Sequence, residues 1–133
     1  MDCEGSSRPT DTRGHCYVLM CMCLLCHGVF LEPMKNLTHS EVRRAFARCV
    51  FRSGTLPLLL RSDRGPEFKH LLMREFTSLL GLRHRFGTPW RPVEQGAVER
   101  VHQVAQQMLG VLVHDVLQMS PEHWTEALPV LSL

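Results

Sequence analysis

The chain carries no excess of charge of one sign. Fifteen Lys and Arg face thirteen Asp and Glu, a formal net charge of +2 with a pI near 8.3. Dedicated nucleic-acid binders often lie above pI 9, so composition alone does not mark the chain as one. A local basic patch remains compatible with a modest total. There is no long hydrophobic run. The apolar stretch Tyr17–Cys26 is ten residues and ends at His27 and Gly28, far short of the ~20 needed to span a bilayer. The first residues are polar and include two acids, which is not the pattern of a secretory signal. No internal repeat or low-complexity tract is present, which excludes solenoids and tails. No Ser/His or Cys/His pair stands out as nucleophile and base, which sets covalent catalysis aside.

What is present is the composition of a soluble globular domain. The 133 residues are 44% apolar and 21% charged, a size and balance that suit one domain with one core. Cysteines stand at 3, 16, 21, 23, 26 and 49. Cys23-x-x-Cys26 beside His27 has the look of half a zinc site, but a second Cys/His pair at finger spacing is missing. In an extended run Cys23 and Cys26 would point to opposite faces. The expectation is therefore buried, reduced thiols in an intracellular protein.

The pattern along the chain alternates strand and helix. Met1–Gly5 reads as the end of a strand and 6–14 as a loop. Tyr17–Leu25 reads as a strand buried on both faces, and Val29–Met34 as a shorter one. Three strands on short links imply an antiparallel meander. Thr38 and Glu41 form a capping-box pattern ahead of a helix. Its apolar face is Val42, Ala45, Phe46, Cys49 and Val50, and Gly54 stops it. Leu56–Arg61 is the fourth strand. Pro66 and Glu67 open a second helix with Phe68, Leu71, Leu72, Phe76, Leu79 and Leu80 inward, ended by Gly81. Leu82–Phe86 alternates as a fifth strand. Gly87–Gly96 is a loop, stiff at Pro89 and Pro92. A third helix spans about Gly96–Leu117, and Ser120-Pro121 restarts helix, with Trp124, Leu128 and Leu131 apolar. The order β-β-β-α-β-α-β-α-α gives a mixed α/β fold with helices on both faces of one sheet.

The stretch Ser62–Arg100 carries the chemistry. An apolar strand runs into Asp63 within Ser-Asp-Arg-Gly-Pro-Glu-Phe (62–68). Thr-Pro-Trp-Arg-Pro (88–92) and Gly-x-x-Glu-Arg (96–100) follow. Thirty-five residues, 64 to 98, separate Asp63 from Glu99. Two carboxylates far apart in sequence that meet at one end of a sheet repel unless divalent cations sit between them. The first reading is a carboxylate cage for Mg²⁺ acting on phosphodiesters. Arg61 and Arg64 bracket Asp63, and Arg83, Arg85, Arg91 and Arg100 form a basic rim suited to phosphates.

These motifs together resemble the catalytic core of retroviral and LTR-retrotransposon integrases, most of all the gypsy-type, the D,D(35)E family. The resemblance covers nearly the whole chain. It implies a ribonuclease H-like fold: a five-stranded mixed sheet with helices on both faces, here with the first strand truncated. It implies residues 1–133 as a single catalytic core without the family's zinc-binding N-terminal and DNA-binding C-terminal domains, a fragment of a longer polyprotein or a degenerate copy. The third acid it calls for lies on the first strand. Asp2, Glu4 and Asp11 are the candidates. Asp2 is preferred, because Asp2-x-x-Gly5 and Arg13-Gly14-x-x-Tyr17 look like family motifs, whereas Asp11 lies in a loop that would hold it poorly.

The implied activity is 3′-end processing and DNA strand transfer in DNA integration. Asp2, Asp63 and Glu99 would be both catalytic and metal-binding, holding two Mg²⁺ with Mn²⁺ able to substitute. Trp90, Gln95, Arg64, Arg91, Arg100 and Gln103 would contact DNA. Implied partners are element ends and target DNA, and a second copy of the core in a homo-oligomer; no membrane is involved, and the implied location is the nucleus. Gln103 and Gln106 stand where the family often carries basic residues, so grip on phosphate through this helix should be weaker. A catalytically inactive transposon-derived nucleic-acid-binding or dimerisation module is the alternative.

Overall fold

A computed structural model describes residues 2–4, 10–62, 64–69, 71–87, 96, 100, 103–104, 107–108, 111 and 120–131. Strands β1 (Asp2–Glu4), β2 (Tyr17–Met22) and β3 (Val29–Met34) form the expected antiparallel meander. Pro33, which has no N–H to donate, lies on β3 at the edge of that sheet, where strands tolerate proline. Helix α1 (His39–Ser53) follows, then β4 (Leu59–Ser62), the short helices α2 (Pro66–Lys69) and α3 (Leu71–Leu79), and β5 (Arg83–Phe86). A 3₁₀ helix (Pro121–Ala127) and α4 (Leu128–Leu131) close the described chain.

The expected single five-stranded sheet is not formed by the described strands. β1–β2–β3 make one sheet, and β4 and β5 pair in parallel as another, with Leu59 opposite Arg83 and Ser62 opposite Phe86. At three residues β1 offers few backbone groups, and its ladder runs along β2 alone, Asp2 opposite Met20 and Glu4 opposite Val18. Strands usually run five or six residues.

Side-chain packing joins the two sheets instead. Leu19 of β2, Met34 of β3, Leu60 of β4, Phe68 of α2 and Met73 of α3 form one buried cluster with Val42, Ala45, Phe46 and Cys49 of α1. The α1 face follows the 3-and-4 spacing expected of it, with Val50 partly buried beside it. On the other face of the meander, Val18, Met20 and Leu31 pack on Trp124, Ala127 and Leu128. The period-2 alternation of β2 thus feeds both layers. Trp124 and Ala127 align because a 3₁₀ helix repeats every three residues.

Several expectations are corrected at element ends. β2 stops at Met22; Cys23–Cys26 is a turn, and Leu24 and Leu25 are exposed. The Cys23 N–H donates to the Gly28 carbonyl at 2.8 Å and the His27 N–H to the Cys23 carbonyl at 2.9 Å, with His27 at φ 59°. Cys23 and Cys26 are therefore not splayed along a strand. All six cysteines are free thiols, but only Cys49 is buried and Cys26 is exposed. β4 starts at Leu59, after Pro57, and Leu56 and Leu58 face solvent. Leu79 is exposed, because Met73, Thr77 and Leu80 set the inward stripe and Leu79 falls on the far side of the turn. Leu71 and Leu72 side chains lie outside the described residues, as does that of Leu131. The last segment is 3₁₀ before it is α-helical.

Helix stops match the glycines better than the starts match the caps. Gly54 and Gly81 both adopt left-handed conformations, φ 63° and 69°. The Leu82 N–H reaches the Thr77 carbonyl at 2.8 Å and the Gly81 N–H reaches that of Ser78 at 3.0 Å, a Schellman closure. The Thr38 hydroxyl does not cap α1. It donates to the Asn36 side chain, which lies close in an exposed turn and takes the hydroxyl that the capping box would have used.

An unforeseen strap holds α1 to β3. Buried Glu32 accepts from Arg48 Nε at 2.9 Å and from Arg52 Nη1 at 2.8 Å. The same arginines donate to the carbonyls of Pro33 and Leu31. Glu32→Gln should cost about 1–2 kcal/mol by urea denaturation, since the half-exposed arginines regain water when the ion pairs are lost. An unchanged midpoint would show the strap to be a surface decoration.

Candidate functional site

The first segment of the site is a strand–turn–helix. β4 ends at Ser62, and Arg64 and Gly65 turn the chain into α2, where the Gly65 carbonyl accepts the Phe68 and Lys69 N–H groups at 3.1 and 3.3 Å. Pro66 opens α2, where its missing N–H costs nothing. Asp63 sits in sequence between the end of β4 and this turn but lies outside the described residues. Arg64 is exposed. Asp2 opens β1 by its backbone; its side chain is outside the described residues, as are Glu99, Trp90, Arg91 and Gln95.

The expected third helix is helical wherever it is described: Gly96, Arg100, Gln103, Val104, Gln107, Met108 and Val111. Arg100, Gln103, Gln107 and Val111 recur at three- and four-residue intervals, so they share a face, and each is exposed. Arg100 and Gln103 are thus open to solvent on this face. Among the described residues no group of three or more His, Cys, Asp or Glu is placed to hold a metal ion. The proposed donors are not in that set.

β4 and β5 build a basic face beside Ser62. Arg61 lies opposite Arg85 in register, and Arg83 is two residues before Arg85 on the same side of β5. Arg83 and Arg85 are exposed. Like charges side by side on a sheet repel, and an anionic ligand would relieve that repulsion. The inward side carries His84 and Phe86, rings 4.6 Å apart.

His84 was not singled out by sequence reasoning. Its Nε2 is 2.9 Å from Ser62 Oγ, at the end of β4. Its Nδ1 is buried without a hydrogen-bond partner among the described residues. Burial lowers the His84 pKa from its ordinary value and favours the neutral ring. The available signal was the Arg83–Phe86 alternation, which places 84 and 86 on the inner face.

Asp11, set aside as poorly held, is the most firmly held acid described. It is 5% exposed. Oδ1 accepts the Arg13 and His15 N–H groups at 2.9 and 2.7 Å. Oδ2 accepts the Thr125 hydroxyl at 2.6 Å and lies 2.9 Å from His15 Nδ1. Burial pushes the carboxyl up, but the bonds from Thr125, His15 and Arg13 together outweigh it and hold it well below the usual carboxylate range. Both oxygens are occupied in tying the 11–15 turn to the 3₁₀ helix, which is a structural task.

The chain is similar to Pol polyproteins of retroviruses. It is 28% identical over 133 residues to the Pro-Pol polyprotein of simian foamy virus type 1, covering 100% of this chain and 11% of that protein. It is 40% identical over 81 residues to the Pol polyprotein of caprine arthritis encephalitis virus, covering 61% of this chain and 7% of that protein. The chain thus spans about a tenth or less of the length of these curated relatives. No family model matches it. In fold it is similar to the catalytic core domain of BIV integrase, with a TM-score of 0.75 at 21% identity over 99% of this chain and 80% of that one. The HTLV-2 integrase catalytic core, solved in complex with magnesium in a dimeric form, gives 0.68 at 20% identity over 83% and 69%. These relatives are retroviral, and they do not single out the gypsy-type. The fold is the ribonuclease H-like α/β fold, and in both sequence and structure this chain resembles the catalytic core of retroviral integrases.

Proposed function

We propose that this chain is an integrase catalytic core that carries out metal-dependent phosphodiester cleavage in 3′-end processing and then DNA strand transfer. The observation that carries the proposal is the match of nearly the whole chain to an integrase core fold, in a sequence that keeps the three acids of the D,D(35)E pattern. Asp2, Asp63 and Glu99 are the proposed ligands. Three carboxylates are a hard-oxygen donor set, which suits Mg²⁺ or Mn²⁺. When bound, two such ions lower the pKa of the attacking water or 3′-hydroxyl and steady the leaving oxygen.

The chain's own residues supply position. β4 ends at Ser62, whose hydroxyl is braced by His84, and Asp63 follows it in sequence. Arg64, Arg100 and Gln103 are exposed for DNA contact. Trp90, Arg91 and Gln95 complete the proposed DNA surface. DNA as partner, a homo-oligomer through the core and action in the nucleus belong to this same reading. The dimeric form of the HTLV-2 core supports the oligomer.

The test is Mn²⁺- or Mg²⁺-dependent nicking or disintegration of branched DNA by the full chain and by Glu99→Gln. The variant should lose roughly 10³-fold or more, the order seen when one member of a cooperating catalytic set is removed, with an unchanged thermal melt. Equal rates in the two proteins would remove Glu99 from the mechanism. One observation favours a second reading, a non-catalytic nucleic-acid-binding or dimerisation module: among the described residues β1 is three residues long and does not join β4 in a ladder. Metal-independent DNA binding with no cleavage by either protein would support that reading.

A further inference from the structure

The turn between β2 and β3 brings two thiols together at the surface. Cys23 and Cys26 are three residues apart in a turn closed by the His27 N–H on the Cys23 carbonyl. That bond closes a single α-turn over residues 23–27, in which residues three apart are neighbours, about 5–6 Å between Cβ atoms, close to the separation a disulfide needs. The backbone N–H groups of Cys26 and Leu25 and the Cys26 thiol, all beside the Cys23 sulfur, favour its thiolate. Cys26 is exposed and Cys23 partly so. Leu24 and Leu25, which separate them, also face solvent, so these two side chains do not cover the pair.

We propose that Cys23 and Cys26 form a reversible dithiol–disulfide site for small-molecule disulfides, with Cys23 as the attacking thiol and Cys26 as the resolving one. The Cys23 thiolate attacks one sulfur of a low-molecular-weight disulfide such as oxidised glutathione. That S–S bond breaks, and one glutathione thiolate leaves with the bonding pair. Cys26 then loses its proton and attacks the Cys23 sulfur of the mixed disulfide, releasing the second glutathione thiolate. Two protein thiols are oxidised and one disulfide is reduced to two thiols. A reducing thiol in excess reverses both steps.

The environment assigns the roles. Two backbone N–H groups, those of Cys26 and then Leu25, stabilise the Cys23 anion and lower its pKa from the ordinary thiol value. Reactive cysteines are those with stabilised thiolates and access to solvent, poised beside a resolving thiol. Within the same chain Cys49 is the contrast. Its hydrogen bond with Cys21 and its burial in the α1 core push its pKa up and keep it a neutral thiol. The second close pair, Cys21 with Cys49, is therefore the slow one. The site is independent of the three acids, so its reactivity does not depend on the proposed nuclease activity.

The experiment is oxidation of the folded full chain with oxidised glutathione at neutral pH, followed by intact mass and fragmentation of the 14–35 tryptic peptide. The wild type should lose two hydrogens at Cys23 and Cys26 and regain them with dithiothreitol. Cys26→Ser should stop at one glutathione on Cys23. Cys23→Ser should react at Cys26 about ten-fold more slowly than wild type reacts at Cys23, consistent with loss of the stabilised thiolate. Both side chains lie on a surface turn, and an unchanged far-UV spectrum serves as the folding check. A first disulfide at Cys21 and Cys49, persistence of an intrachain disulfide at full rate in Cys26→Ser, or equal reactivity in Cys23→Ser would each overturn the proposal.

Discussion

Phe46→Ala is expected to lower folding stability by about 3–5 kcal/mol, the range for truncating a buried aromatic. Phe46 is 2% exposed on α1, and its ring meets Phe76 of α3 edge to face, centroids 6.2 Å apart at 84°. Removing it forfeits buried area, the aromatic contact, worth about 0.5–1.5 kcal/mol more, and leaves a cavity. The position matters because the two sheets share no ladder among the described residues. Leu19 and Met34 on one and Leu60 on the other meet in the α1 cluster, so packing there substitutes for strand pairing. Phe46→Leu should cost about 1 kcal/mol, since most of the volume stays. Urea denaturation reads both, as a lower midpoint at similar slope. A cost below ~1 kcal/mol for the alanine variant would mean that α1 is not what holds the sheets together.

Asp11→Ala should cost about 2–3 kcal/mol and change the response to acid. The carboxylate is the common acceptor for two backbone N–H groups and the Thr125 hydroxyl. Deleting it leaves those donors without their partner in a partly buried turn. The pH dependence follows from the depressed pKa. As pH falls, the unfolded chain takes up a proton on Asp11 before the folded chain does, so acid favours unfolding. The contribution is fully present above about pH 4, the ordinary carboxylate value, and is lost as pH falls toward the lower folded-state value. Asp11→Asn keeps the shape without the charge and should flatten this part of the acid profile. Wild type and Asp11→Asn losing stability in parallel between pH 5 and pH 2, a window of about three units around that value, would contradict the role given to Asp11.

The site was partly legible before the fold was known. The arginines at 83 and 85 are a sequence pattern that does lie exposed on β5, and Arg100 and Gln103 lie exposed on a helix, while the acids at 2, 63 and 99 stand as a proposal. His84 was not legible, because its importance comes from Ser62, 22 residues earlier, set beside it by the β4–β5 pairing. Asp11 was misread for a similar reason. Loop composition predicts a poorly held side chain, but Thr125, 114 residues away, closes on its carboxylate.

Periodicity and punctuation were enough to determine the meander, the inward face of α1 and the stops at Gly54 and Gly81. Each depends on local geometry: alternation in a strand, 3.6 residues per helical turn, and a left-handed residue that glycine adopts without strain. Tertiary structure alone decided where the strands ended and how the sheets joined. After Met22 the apolar run turns, exposes Leu24 and Leu25 and puts Cys23 and Cys26 in one turn. Among the described residues β1 pairs with β2 alone, and the α1 side chains join the two sheets. Burial and pairing belong to partners distant along the chain, and a local pattern can propose such partners but not choose among them.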